Sequence, residues 1–192
     1  MSSTNAFIDV TLLPELEISV DFDLGGHRLI PGYTGELGEP IEAFLELYAV
    51  KDGAIAARIL TPDDLSRLGV TILTAPQALS FVKLFTLPET YYLFNKVETV
   101  IELSVIPDPE PPGVGKISES KFQAISMSEP QVTSDKQAFT VERNLIRCTS
   151  LSGTRDIIRR TERVSTIGAY TLVSEHSLAQ LNTAELQIPY YE

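Results

Sequence analysis

The chain has 192 residues, is 43% hydrophobic and 21% charged, and carries a formal charge of −11. That length makes one domain or two small ones, with enough apolar material for a core without staples. A chain of this composition is not disordered, and its acidity argues against nucleic acid as a partner, because phosphates are repelled. Residues 1–115 hold 17 acids and 6 bases, net −11, whereas residues 116–192 hold 9 of each, net zero.

The first element in chain order is a strand over Leu16–Leu24, where apolar residues at 16, 18, 20, 22 and 24 alternate with polar ones. Ala6–Leu12 is its expected partner, and Gly25-Gly26 ends it with a turn. Residues 31–40 read as a loop, since three glycines and two prolines fall within ten residues. Residues 41–50 fit either a helix entered at Pro40 or one arm of a hairpin. The hairpin is preferred, with its turn at Lys51-Asp52-Gly53 and a second arm over Ala54–Leu60.

Two helices follow. Thr61-Pro62-Asp63-Asp64 has a capping residue, a first-turn proline and first-turn acids, with Gly69 as the stop. Thr74-Ala75-Pro76 opens a second helix, 75–87, whose apolar face (Ala78, Phe81, Phe85) points at a core, and Pro88 ends it. Beyond it lie an aromatic run, Tyr91–Phe94, and an alternating strand over Val97–Val105. The segment 106–113 has four prolines in eight residues and cannot join a sheet interior. It marks the alternative domain boundary, 106–115; a single domain over 1–192 is the preferred reading. Strands are expected again at Lys121–Met127, Phe139–Cys148, Arg155–Thr166 and Ala169–His176. The expected fold class is α+β, mainly antiparallel β-sheet with one or two short helices on one face; an all-β barrel or sandwich is the alternative.

Six of the nine arginines fall within 141–164. Ser150 to Gly153 reads as a turn, so the flanking strands form a hairpin and its register decides where the arginines go. If opposed residues sum to 302, Arg147 faces Arg155, Arg143 faces Arg159, and Arg163 joins them. Five arginines then share one surface, and an anionic ligand or acids from the first half must neutralise it. If the sum is 303, Arg147 faces Asp156, Arg143 faces Arg160 and Val141 faces Glu162. That register is the cheaper one without a ligand.

The candidate ligand-binding residues are therefore Arg143, Arg147, Arg155, Arg159 and Arg163, whose guanidinium forks suit carboxylate or phosphate. Tyr91 and Tyr92 could line a pocket beside helix 75–87, with core packing the commoner role for such a run. Glu17, Asp21 and Asp23 form an acidic stripe read as the wet side of a strand, and Glu36, Glu39, Glu42 and Glu46 form a second acidic cluster. His27 and His176 read as surface residues. The single cysteine, Cys148, allows no internal disulfide. Phosphate-binding, nucleophile-elbow and zinc motifs are missing. No catalytic set, metal or cofactor is assigned, and whether the chain is an enzyme stays open, with the balance against it.

The start lacks a basic leader, and no run reaches the ~18 apolar residues of a membrane span. A cytoplasmic protein with no membrane partner is expected. The leading functional expectation is a non-catalytic binding or interaction protein, taking a small anionic or apolar ligand or a partner protein. The alternatives are an enzyme whose small anionic substrate is held by the arginine hairpin, and a structural subunit that homo-oligomerises through sheet edges.

Overall fold

The computed structural model of the protein describes residues 10–34, 45–87, 100–102, 104–106, 116–125, 127–148 and 154–182. Tyr91, Tyr92, Glu36, Glu39, Glu42, the proline-rich segment from 107 and the 149–153 turn lie outside them. The fold is α+β with mainly antiparallel sheet, as expected, and neither main sheet closes into a barrel.

The first sheet contains β1 (Val10–Leu12), β2 (Arg28–Thr34), β3 (Glu46–Lys51) and β4 (Ala54–Ile59), antiparallel and in that order. The second is built on three long strands, β9 (Ala138–Cys148), β10 (Thr154–Ser165) and β11 (Tyr170–Asn182). Two short strands, β5 (Val100–Glu102) and β8 (Gln131–Ser134), lie end to end along the far side of β9. A parallel pair, β6 (Ser104–Ile106) and β7 (Lys116–Ser118), stands apart. Among the described residues, no helix is long and apolar enough to cross a membrane.

The hairpin reading of residues 46–59 holds, with Asp52 and Gly53 both at positive φ in its turn. Both expected helices form. Helix α1 (Pro62–Ser66) opens where the Asp64 carboxylate accepts from the amides of Leu60 and Thr61 at 3.0 and 2.9 Å. Helix α2 (Ala75–Lys83) opens on a reciprocal cap. Gln77 Oε1 accepts from Thr74 N, and Gln77 N donates to Thr74 Oγ1, which satisfies amides that the first turn leaves unpaired.

Five expectations need correction, the first being that β1, within the expected Ala6–Leu12, pairs with β2 and not with residues 16–24. Residues 17–24 keep their alternation, although Leu16 is itself exposed: Ile18 and Val20 are half-buried and Phe22 and Leu24 buried, while Glu17, Ser19, Asp21 and Asp23 are exposed. They nonetheless form no strand ladder. Pro14–Leu16 is a 3-10 turn, and only single bridges follow, Ile18 to Leu29 and Asp23 to Thr71. Between them the Asp21 amide donates to the Ser80 hydroxyl of α2. Alternation reported burial correctly here, but the backbone found different partners at each end.

The loop expected over 31–40 is a strand as far as Thr34. Pro31 is tolerated because its missing N–H falls where β1 ends. There the Leu13 carbonyl, which would have faced it, accepts from Leu16 N at 3.0 Å, while Leu13 N donates to Pro31 O at 2.8 Å. Gly32 suits the same place, since a Cβ would sit 2.9 Å from the Thr11 carbonyl oxygen of β1.

The strand expected at Lys121–Met127 is instead helix α3 (Glu119–Ala124). Phe122 and Ile125, three apart, pack on one small cluster, a helical spacing that the short run hid. Finally, the last strand does not stop at His176 but runs to Asn182.

The main core is a single apolar cluster that takes Leu29, Leu47 and Ile59 from the first sheet and Phe139, Val141 and Val164 from the second. Leu65 of α1 and Phe81 and Val82 of α2 join the same cluster. Helix α2 thus packs on the second sheet and shares this cluster with residues of the first. On the other face of the second sheet, α3 packs against Ile146, Ile157 and Leu181.

Candidate functional site

The β9–β10 hairpin adopts the register whose opposed residues sum to 303. Arg143 lies opposite Arg160, Asp156 opposite Arg147, Glu162 opposite Val141, and Ile157 opposite Ile146. The five-arginine row therefore does not form. Residues 139, 141, 143, 145 and 147 of β9 share one face with 156, 158, 160, 162 and 164 of β10. Arg143, Arg147 and Arg160 stand on that face. Arg159 and Arg163 stand on the other, while the backbone of Arg155 pairs in register with Cys148 and Leu181.

On the first face the arginines are held by acids of the same sheet. Arg143 and Glu162 are both 1% exposed and meet in a fork, Nε to Oε2 at 2.6 Å and Nη2 to Oε1 at 3.0 Å. Arg143 also donates to the Thr86 hydroxyl at 2.6 Å and to the Val82 carbonyl at 2.7 Å. The second bond satisfies a carbonyl that the end of α2 leaves unpaired, so the guanidinium fastens the helix to the sheet. Tyr170 completes the group by donating to Glu162 Oε1 at 2.9 Å. Next to it, Arg160 donates to Glu175 Oε2 from Nε (3.1 Å) and Nη2 (2.8 Å), and Arg147 pairs with the same carboxylate. The opposed Arg143 and Arg160 thus meet different carboxylates, Glu162 and the Glu175 that Arg160 shares with Arg147, which offsets part of the cost of placing like charges together. Among the described residues, none donates to the buried Asp156 Oδ1.

The other face is more open. Arg159 lies 3.7 Å from Glu142 and donates to Asn144 Oδ1 at 3.4 Å. Arg163 reaches Asp135 at 2.5 Å. The amide of Gln137, the Arg163 guanidinium and the amide of Ala138 together hold the Asp135 carboxyl below the usual carboxylate range.

Glu142, Glu162, Glu175 and Asp135 all come from the second part of the chain. In the first part Glu17 pairs with Arg28, Glu46 with Arg58 and Asp64 with Arg67. Among the described residues, each of these ion pairs joins an acid and a base of the same part of the chain. Among the described residues, no three His, Cys, Asp or Glu side chains converge as metal ligands.

The other singled-out residues stand apart from this group. His27 is held at a turn, its Nδ1 2.8 Å from the Leu24 carbonyl oxygen. Glu46 accepts from Tyr48 at 2.8 Å, and burial, then that bond, keeps the phenol protonated beyond the usual tyrosine range. His176 is exposed, opposite Arg159.

One feature escaped the sequence. β11 lies at the end of the second sheet, and among the described residues no strand pairs with its outer side. Its register with β10 shifts twice, so that Val173 and Leu178 are extra residues, or bulges. Leu172 and Val173 are 45% and 56% exposed, and Ile167, in the turn before β11, is 68% exposed. Thr166 O accepts from Ile72 N, which brings Leu73, also 68% exposed, to the same end of the sheet. The signal available in the sequence was the adjacent pair Leu172-Val173, which breaks the alternation of a half-buried strand. Comparison with family models, with curated proteins and with solved structures finds no match for this chain.

Proposed function

We propose that this chain is a non-catalytic interaction protein whose working surface is the open edge of its second sheet. The observation that carries the reading is β11 itself: thirteen residues at a sheet edge, with exposed leucine and valine at its bulge and two further exposed apolar side chains at one end. An unpaired edge offers a row of backbone donors and acceptors to any extended segment, and apolar side chains beside it supply contact area. Support also comes from the hairpin. Guanidinium groups that already hold Glu162, Glu175 and Asp135 are less available to an anion than a bare row would be, which lowers the weight of the anion-binding and enzymatic alternatives.

The test is a comparison of complexes recovered from the native cell extract with three forms of the protein. These are the wild type, Leu172→Lys with Val173→Lys on the edge, and Arg159→Ala with Arg163→Ala on the open face. The proposal expects partners lost from the edge variant alone. Partners lost only from the arginine variant, or kept by both, contradict it.

A further inference from the structure

We infer that the partner for this edge is a second copy of the chain, joined β11 to β11 in antiparallel register about a two-fold axis at His176. The inference rests on the edge reading above and names its occupant.

Charge is the first argument. Two copies each carrying −11 repel one another, and that charge resides in residues 1–115. β11 lies in the neutral part. Its residues include one acid, Glu175, already engaged by Arg160 and Arg147, and no lysine or arginine. The edge is thus a place where two copies can meet without opposing their net charge.

Self-complementarity is the second. A two-fold axis that pairs two antiparallel strands stands perpendicular to the sheet, so opposed residues must lie on the same face and their numbers sum to an even value. An axis at Glu175 would set carboxylate against carboxylate. An axis at His176 sets Glu175 against Ser177 of the second copy. It also sets Val173 and Ser174 against Leu178 and Ala179, and Leu172 against Gln180. The two bulges, on either side of His176, then fall opposite one another, two residues facing two, so neither breaks the pairing. Val173 meets the apolar Leu178–Ala179 pair, which gives its exposed side chain a reason to be apolar. The result is one continuous sheet across both copies, with β11 and its symmetry mate at the centre.

The contact is smaller than that of an obligate dimer, so the association should be reversible and concentration-dependent, with a dissociation constant in the micromolar range. Sedimentation velocity of the full chain, from low micromolar to several hundred micromolar, reads it. The wild type is expected to pass from monomer to dimer. Val173→Asp should raise the dissociation constant about tenfold or more, by placing a charge against Leu178 and Ala179, and Val173→Thr should leave it near the wild-type value. Because Val173 is exposed, all three proteins should melt alike at low concentration. Register is read by His176→Cys: mild oxidation should give a disulfide-linked dimer at the two-fold axis, whereas the wild type, which keeps Cys148, should not.

A wild type that stays monomeric throughout, a Val173→Asp variant that dimerises like the wild type, or a His176→Cys variant that fails to cross-link overturns the inference. Its failure is distinguishable from that of the edge reading. A monomer whose complexes with other proteins depend on Leu172 and Val173 rejects the second copy and keeps the edge.

Discussion

Arg143→Ala is expected to cost about 3–5 kcal/mol, because it leaves a carboxylate buried without its counter-charge. Arg143 and Glu162 are each 1% exposed, so water cannot replace the lost partner. Among the described residues, the Glu162 carboxylate would keep only the Tyr170 hydroxyl. The Val82 carbonyl at the end of α2 would lose the guanidinium as well. For a chain of this length each kcal/mol moves the melting temperature by about 2–4 °C, so a fall on the order of 10 °C is expected. Arg143→Met combined with Glu162→Leu should cost clearly less than the two single changes added together, since the pair is then removed whole. Thermal unfolding of the four proteins gives this cycle directly. A single-variant loss below about 1 kcal/mol would mean that the pair is far more hydrated than its burial indicates.

Phe81→Ala is the second large effect, about 3–5 kcal/mol. Phe81 is fully buried, its ring centroid lies 5.3 Å from that of Phe22, and it belongs to the cluster shared by both sheets. Its removal leaves a cavity among elements that cannot all close in on it. The turn before β11 is one of them: Gly168, at φ +76°, lies against Val70 and Phe81 so closely that a Cβ would be 3.2 Å from Val70 Cγ1 and 3.5 Å from the Phe81 ring. Loss of Phe81 is therefore expected to loosen the β10–β11 turn as well as to lower stability. Amide exchange at Ile72, whose N–H donates to Thr166 O across this junction, should speed up in the variant. Unchanged exchange there would separate the turn from the helix.

Much of the fold was legible. The helix starts at Thr61 and Thr74 were readable because capping residues and prolines act within one turn of chain. The β3–β4 hairpin was readable from Lys51-Asp52-Gly53 for the same reason. Where the outcome depended on distant partners, sequence misled. Residues 16–24 alternate as a strand should, but only the positions of Leu29, Thr71 and Ser80 determine what their amides meet. Pro31 and Gly32 signalled a loop, and became strand because β1 ends beside the proline and passes close to the glycine. The Lys121–Met127 error is one of period: Phe122 and Ile125 fix a helical face only when Ile146 and Ile157 are known to lie beneath it.

The arginine cluster was visible from the sequence, but its meaning was not. Both registers could be written down, and each cross-strand pair is worth only about 0.2–1 kcal/mol. Burial and the acids on β10 and β11 separate them. Glu175 lies fifteen residues beyond Arg160 and twenty-eight beyond Arg147, too far for any local rule to join the three. The edge of β11 was hidden in the same way, since a strand becomes an edge only by its neighbours.

The claim on which the rest depends is that β9 and β10 pair so as to divide the arginines between two faces and neutralise them within the sheet. Cross-strand proton contacts in solution NMR test it most directly. The expected contacts join Val141 to Glu162, Arg143 to Arg160 and Leu145 to Ile158. Contacts joining Arg143 to Arg159 and Arg147 to Arg155 instead would restore a single cationic face and contradict it.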